Sequence, residues 1–257
     1  MNSISILDET LFQTNNELKT LDLSQNRIST LKSSLFQNNE KLELLNLENN
    51  QIELITKKTF EGLFNLRSLN LSSNKIYVLS SGAFKDLKSL ESLDISKNKI
   101  AVTRYHFCSL TKLTSLSFRS NALKTIEFSD LTELTHLDLS DNEITRITFD
   151  SLPHLKVMNL HRNSLYEIRN DMFSKTTNLE ELLLSGNRIY GIEPYAFKNL
   201  SNLRILSLTG NRELKISSEL FNWLNDTTLE RIEISRIGTE IHNDAFDVVG
   251  SDVIFLV

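Results

Sequence analysis

The sequence contains few of the residues that usually brace or bend a chain. One cysteine, Cys108, is present among 257 residues, which excludes an internal disulfide framework and a zinc site of the CxxC type. Only 7 glycines and 2 prolines occur, a small number for a chain that has to turn repeatedly. The chain therefore either forms long helices or turns by some other device.

Long apolar runs and an excess of basic residues are also missing. The longest uninterrupted apolar run is Val253–Val257, far short of the roughly 18–20 residues that span a bilayer. The net charge is −5, without the basic excess typical of nucleic-acid-binding proteins. With 40% hydrophobic and 24% charged residues the composition is that of a globular protein. We expect no nucleic-acid partner and no membrane insertion by this segment.

Signatures of catalysis are not found either. None of the strings GxSxG, GxxxxGKS/T, GxGxxG or HExxH occurs. His136, Asp138 and His161 should lie on adjacent strands of one face, but no metal-binding spacing accompanies them, so we expect no metal and no cofactor. Cys108 has no plausible partner base and is predicted to be a buried or half-buried structural thiol. Enzymatic activity is not expected.

What the sequence does contain is one motif repeated along its length. The pattern LxxLxLxxN starts at Leu18, Leu42, Leu66, Leu90, Leu113, Leu134, Leu155, Leu179 and Leu203, with a degraded copy at Leu229. Successive starts lie 24, 24, 24, 23, 21, 21, 24, 24 and 26 residues apart. Self-similarity at a fixed period of this size indicates stacked structural repeats. The two repeats of 21 residues should flatten the curvature of such a stack.

Each position of the motif has a physical role. The LxL alternation directs both leucines to one face of a short strand, and stacking the repeats makes a parallel sheet about 45 Å long. The asparagine at the ninth position both donates and accepts hydrogen bonds, so it can satisfy backbone groups where the chain turns inward. This column replaces glycine and proline, and its members are Asn26, Asn50, Asn74, Asn98, Asn121, Asn142, Asn163, Asn187 and Asn211.

A second register of large side chains accompanies the leucines. Eleven of the 14 phenylalanines recur at nearly the same place before the next motif, and they are Phe12, Phe36, Phe60, Phe84, Phe107, Phe128, Phe149, Phe173, Phe197, Phe221 and Phe246. Aromatic side chains at this spacing favour a stacked column inside the fold. We assign these residues to the core and not to a binding site.

The full consensus, LxxLxLxxNxIxxLxxxxFxxLxx, resembles the typical 24-residue class of leucine-rich repeats in animal extracellular proteins such as Toll-like receptors, Slit and chaoptin. The resemblance implies an α/β solenoid, a horseshoe with a parallel β-sheet on the concave face and a mostly irregular convex side. We predict a single solenoid over residues 1–257, with a partial repeat at 1–17, repeats starting at 18, 42, 66, 90, 113, 134, 155, 179, 203 and 229, and a truncated strand at 253–257.

The resemblance also implies a setting. We expect a piece, without either cap, of a secreted or cell-surface receptor or adhesion molecule that recognises a protein or glycoconjugate without catalysis. A complete cytosolic interaction scaffold is the alternative. Three N-x-S/T sequons are glycosylation candidates, at Asn70, Asn199 and Asn225.

The outward positions of the strands predict where a partner binds. Early repeats carry small polar residues there, whereas the later ones carry larger and charged side chains, including Asp141 and Arg162. We place Val157, Leu183 and Ile205 at the same position of three successive strands, as an exposed apolar stripe about 10 Å long. Apolar anchors among charged groups are typical of protein contacts. The predicted partner-binding residues are Arg119, His136, Asp138, Val157, Asn159, His161, Leu183 and Ile205.

Overall fold

The repeats form the stacked coils of one parallel solenoid. A computed structural model describes residues 3–101, 107–128, 130–149, 152–216, 228–234, 240–241 and 254–256. Within these ranges an 11-stranded parallel sheet contains one strand from each coil. Its strands are β1 (Thr20–Asp22), β2 (Leu44–Asn46), β4 (Ser68–Asn70), β6 (Ser92–Asp94), β7 (Ser115–Ser117), β9 (His136–Asp138), β11 (Val157–Asn159), β13 (Glu181–Leu183), β15 (Ile205–Ser207), β17 (Arg231–Glu233) and β19 (Ile254–Leu256).

Shorter strands pair two by two on the return path of the coils. They are β3 (Leu54–Ile55) with β5 (Val78–Leu79), β8 (Thr125–Phe128) with β10 (Arg146–Phe149), β12 (Glu167–Ile168) with β14 (Gly191–Ile192), and β16 (Lys215–Ile216) with β18 (Glu240–Ile241). The four-residue strands β8 and β10 belong to the two repeats of 21 residues. Losing three residues leaves the chain extended there, so that Phe128 and Phe149 still reach the core.

The predicted parallel sheet and irregular convex side are confirmed, but the helical part of the α/β class is not found. The described residues include turns and strands and no helix. Backbone hydrogen bonds on the convex side join residues three apart, as from Ala83 N–H to the Ser80 carbonyl (2.9 Å) and from Leu87 N–H to the Phe84 carbonyl (3.1 Å). Each convex segment is too short to extend such turns into a regular helix before the next strand begins.

The core lies between the sheet and the convex turns as one continuous cluster. From β2 to β17 both inward-facing apolar residues of the LxL motif are buried, and Leu21 of β1 is partly buried. The phenylalanine rings stack behind them, as in Phe60–Phe84 with centroids 6.1 Å apart. Phe118 stands where other repeats have the second LxL leucine and packs edge-on against Phe107 at 5.4 Å. Phe221 and Phe246 lie outside the described residues.

Cys108 corrects one prediction, because its side chain is exposed and not buried. It follows the inward-facing Phe107 in a turn, and this places the cysteine on the outer surface. The thiol therefore contributes nothing to the core.

The ninth-position asparagines join consecutive coils. Asn142 accepts from Leu123 N–H (3.1 Å) in the coil before it and donates to the Phe118 carbonyl (2.9 Å) of that coil and the Leu139 carbonyl (3.0 Å) of its own. The same pattern of one accepted and at least two donated bonds holds for Asn26, Asn50, Asn74, Asn98, Asn121, Asn163, Asn187 and Asn211. Asn98 and Asn121 even share one acceptor, the Ile95 carbonyl, at 3.0 and 3.1 Å.

This hydrogen bonding explains how a chain with few glycines turns. The residue before each ninth-position asparagine has a left-handed backbone, with φ of 52° at Lys97 and 55° at Asp141. Such a conformation costs a residue with a side chain roughly 1–2 kcal/mol. Glycine fills the position only at Gly186 and Gly210, and elsewhere the bonds of the next asparagine hold the turn.

Candidate recognition surface

The outward side of the large sheet presents the third and fifth residues of each motif. These side chains are half-buried or exposed along most of the sheet, whereas the apolar residues between them are buried from β2 to β17. In the coils from Leu66 to Leu113 the third position is serine, at Ser68, Ser92 and Ser115. His136, Val157, Glu181 and Ile205 follow at that position. Apart from Leu44 in the second coil, larger side chains at this position therefore begin near the middle of the solenoid.

Most fifth-position residues bind their own backbone. Asp138 accepts from the Ser140 N–H at 3.0 Å, and Asn159 accepts from the His161 N–H at 3.0 Å. The same bond to the residue two positions on is formed by Asp22, Asn46, Asn70 and Asp94, at 2.8 to 3.0 Å. Short Asp and Asn side chains form such local turns readily. Two predicted partner-binding residues, Asp138 and Asn159, therefore also hold the strand ends.

The electrostatics of these turns follow from their hydrogen bonds. The pKa of Asp22 lies below its usual value because the Ser24 N–H and hydroxyl donate to its carboxylate. An Asp or Asn at the fifth position, three residues before the residue with the left-handed backbone, was the available sequence signal for this second column. Sequence reasoning did not detect it because polar residues are expected on that face in any case.

The predicted apolar stripe is wrong in its register. Val157 pairs with Glu181, which pairs with Ile205, whereas Leu183 pairs with Asn159 and Ser207. Leu183 therefore occupies the fifth position and the other two occupy the third. All three side chains are half-buried on the concave side, and Glu181 stands between Val157 and Ile205. The three residues form a triangle instead of a line, and Glu181 lies on its side between Val157 and Ile205.

One carboxylate at the end of the strands holds two cations. The Arg119 Nε donates to Asp141 Oδ2 at 3.1 Å, and an Arg162 terminal nitrogen lies 3.6 Å from Asp141 Oδ1. The Asp141 side chain is 22% exposed, and those of Arg119 and Arg162 are 54% and 69% exposed. Three successive coils contribute these groups, and their summed charge is positive. A ligand carboxylate has a complementary place here.

The two predicted histidines are held by hydroxyl groups. His161 Nδ1 lies 2.6 Å from Ser185 Oγ, and His136 Nδ1 lies 2.9 Å from Thr135 Oγ1. Over the part of the chain that the structure describes, no group of three or more His, Cys, Asp or Glu side chains is placed to hold a metal ion.

The sequons differ in their surroundings. Asn70 is half-buried in β4, where its Oδ1 accepts from Ser72 N–H at 2.9 Å and its Nδ2 faces Glu48. Asn199 is exposed at the end of a convex segment. Asn225 lies outside the described residues. The described ranges also contain no helix long and apolar enough to cross a membrane.

Comparison with known proteins returns a single family. The profile described as Leucine rich repeat matches residues 1–52, 41–100, 101–144, 143–189 and 177–228. Curated proteins gave no sequence match.

Solved structures share the fold. The leucine-rich repeat domain of APL1B is 20% identical with a TM-score of 0.84, covering 98% of this chain and 72% of that one. Toll, in the Toll–Spatzle complex from Drosophila, is 24% identical with a TM-score of 0.81, covering 95% of this chain and 34% of that one. TLR13, in complex with ssRNA13, is 22% identical with a TM-score of 0.68, covering 99% and 43%. The chain therefore spans about a third of Toll and under half of TLR13.

Proposed function

Because the chain belongs to the leucine-rich repeat family, we propose that it recognises a protein ligand, without catalysis, on the concave face of the coils that begin at Leu113 to Leu203. The observation that carries this proposal is the change in side chains along one sheet. Small residues occupy the third position in the coils from Leu66 to Leu113, and larger apolar and charged residues follow. A few large anchors contribute most of the binding energy in protein interfaces.

The apolar part of the proposed site is the triangle of Val157, Leu183 and Ile205. Val157 and Ile205 are two strands apart, about 10 Å at sheet spacing. Each is half-buried, so a ligand side chain that covers it removes further apolar surface from water at about 25 cal/mol per Å². Glu181 in the middle favours a ligand with a donor group between its apolar contacts.

The charged part of the proposed site is the Arg119–Asp141–Arg162 cluster at the strand ends. Two guanidinium groups share one carboxylate, which leaves donors of both arginines facing solvent. Guanidinium binds carboxylate with strong, directed hydrogen bonds. We therefore expect a ligand with an acidic group beside an apolar one.

The setting we propose is extracellular, in a receptor or adhesion molecule, with a cytosolic scaffold as the alternative. Toll is seen with the protein Spatzle in a similar fold, which supports a protein ligand. A glycoconjugate is the second candidate, because a sugar carboxylate or sulfate would also suit the two arginines. TLR13 is seen with RNA, so the expectation that nucleic acid is not a partner stays an expectation.

A binding screen against purified secreted and cell-surface proteins, with an RNA oligonucleotide and acidic glycans as further probes, tests the proposal. For any ligand found, we expect the triple variant V157S/L183S/I205S to weaken binding at least about 30-fold, as loss of two to three anchors implies. The matched control is L44S, which removes an exposed leucine from the third position of an early coil. Unchanged affinity in a folded triple variant would remove this face from consideration.

A further inference from the structure

The edge of the large sheet where its strands begin carries a row of alternating charge. The residues at the second motif position are called the edge row below. They are Lys19, Glu43, Arg67, Glu91, Thr114, Thr135, Lys156, Glu180, Arg204 and Glu230. Backbone bonds link each of these residues to the next, from Glu43 N–H to the Lys19 carbonyl (2.8 Å) through to Glu230 N–H and the Arg204 carbonyl (2.9 Å). The row is therefore continuous along ten coils.

Neighbouring charges in the edge row form ion pairs within the chain. Arg67 contacts Glu91 at 2.8 Å, Lys156 contacts Glu180 at 2.9 Å, and Arg204 contacts both oxygens of Glu230 at 2.7 and 3.0 Å. The pKa of Glu230 is lowered and that of Arg204 raised by this last contact. All these side chains stay between 34% and 61% exposed, so they remain available to other charges.

The order of charges in the edge row is complementary to its own reverse. Read from the amino terminus it is + − + − Thr Thr + − + −, and read backwards it is − + − + Thr Thr − + − +. A two-fold axis between Thr114 and Thr135 therefore sets opposite charges against each other, in the pairs Lys19–Glu230, Glu43–Arg204, Arg67–Glu180 and Glu91–Lys156. The two threonines fix this register, since a shift along the row would place a charged residue of the partner chain across from each uncharged threonine.

The adjacent row, one residue before each motif, fits the same axis. Lys112 falls opposite Glu133, which is a pair of opposite charges. The remaining positions of this row place no like charges against each other, and they are Glu17, Lys41, Asn65, Ser89, His154, Asn178, Asn202 and Thr228. Both rows also line a depression of about 520 Å³ beside the axis, which includes Thr114, Glu133, Thr135 and His154. Exposed Phe64, at this same edge, provides an apolar group.

We propose that this edge is a docking surface for a second copy of the chain, in an antiparallel two-fold dimer. An axis along the radius of the curve reverses the order of coils and keeps both concave faces on one side, so that the curvatures match along the whole length. Ten coils give a strip about 45 Å long, which reaches the usual ~800 Å² per partner at a width of about 18 Å. The concave recognition surface remains open in this dimer.

Because exposed ion pairs are weak and screened, the dimer has to be sensitive to salt. We expect sedimentation of residues 1–257 to show a dimer at about 0.05 M salt that dissociates toward about 0.5 M. A chain that remains monomeric at high concentration in low salt, or a dimer indifferent to salt, contradicts the proposal.

Charge reversal at one symmetric pair tests the register. In E91K and in K156E, each dimer acquires two like-charge contacts, and self-association should weaken about 30-fold. In a mixed dimer of the two variants, the introduced lysine at position 91 faces the introduced glutamate at position 156. The native Lys156 faces the native Glu91. Both contacts join opposite charges, so the mixture should dimerise again. Off-row reversals of the same sign, E53K and K75E, should leave dimerisation unchanged.

The double variant E91K/K156E separates the proposal from a purely internal role of the row. Both internal ion pairs are lost in it, yet every contact across the axis is again between opposite charges. Restored dimerisation is the expected result, with thermal unfolding measured to show that each variant is folded. A double variant that is monomeric, or a mixture of the single variants that does not associate, overturns the proposed axis.

Discussion

Replacing Asn142 by alanine examines the link between adjacent coils at one buried residue. Asn142 accepts from Leu123 N–H and donates to the carbonyls of Phe118, Leu139 and Ser140. The three carbonyls keep other donors, because Asn121 and Asn163 bond to the first two and Ser120 N–H to the third. Among the described residues, only the buried Leu123 amide is left without a hydrogen-bond partner.

The expected magnitude follows from this count. One unsatisfied buried amide costs about 1–3 kcal/mol, and the weakened carbonyl bonds add roughly 1 kcal/mol, so the free energy of unfolding should fall by about 2–4 kcal/mol. The control is N46A, which removes the bond to Glu48 N–H at the half-buried concave face and should cost at most about 1 kcal/mol.

Urea unfolding measures both variants, and amide hydrogen exchange locates the effect. Protection should fall at Leu123 and persist at Ile144, whose amide bonds to Asn163 Oδ1 at 3.0 Å. A loss below about 0.5 kcal/mol in N142A, or equal losses in N142A and N46A, would refute the reasoning that the asparagine column holds the turns.

Three further predictions concern backbone, charge and modification. G210A should destabilise the chain by about 1–2 kcal/mol in urea unfolding, because φ is +74° and the new Cβ would lie 3.2 Å from a backbone nitrogen of the preceding coil, whereas G191A meets open space and should be nearly neutral. R204Q should return the lowered pKa of Glu230 toward its usual value in an NMR titration. The stability that this pair contributes is present above the pKa of Glu230 in the unfolded chain and is lost as the pH falls through its pKa in the folded chain. An unchanged Glu230 pKa in R204Q would contradict Arg204 as the cause of the lowering. Asn199 should carry a glycan after secretion from eukaryotic cells. Enzymatic deglycosylation should then lower the mass of the unchanged chain by one glycan more than the mass of N199Q. Equal mass losses would contradict use of this exposed sequon.

The repeat period was enough to predict the coils, the parallel sheet and the asparagine column. Each of these features depends on residues that recur, so that one coil indicates what the next contains. Phe118 shows how far this extends, since a ring replaced a leucine without changing the inward direction of its position. The family and fold expectations were confirmed because the motif encodes packing.

Other features depend on details within one repeat. Leu183 was placed at the third motif position although it occupies the fifth, because Leu182, Leu183 and Leu184 run together and conceal the register of the motif. Cys108 was misplaced because turn geometry, and not periodicity, decides its direction. The role of Asp138 at its strand end depends on a bond to its own backbone, which a polar residue on a polar face does not reveal.

The most direct test of the central claim is hydroxyl-radical footprinting of the chain with and without a bound ligand. Concave-face recognition predicts that oxidation of Leu183 and His161 falls on binding, whereas the exposed Tyr166 and Tyr190 on the return path of the coils react as before. Protection of those tyrosines, with Leu183 and His161 still fully reactive, would contradict the account.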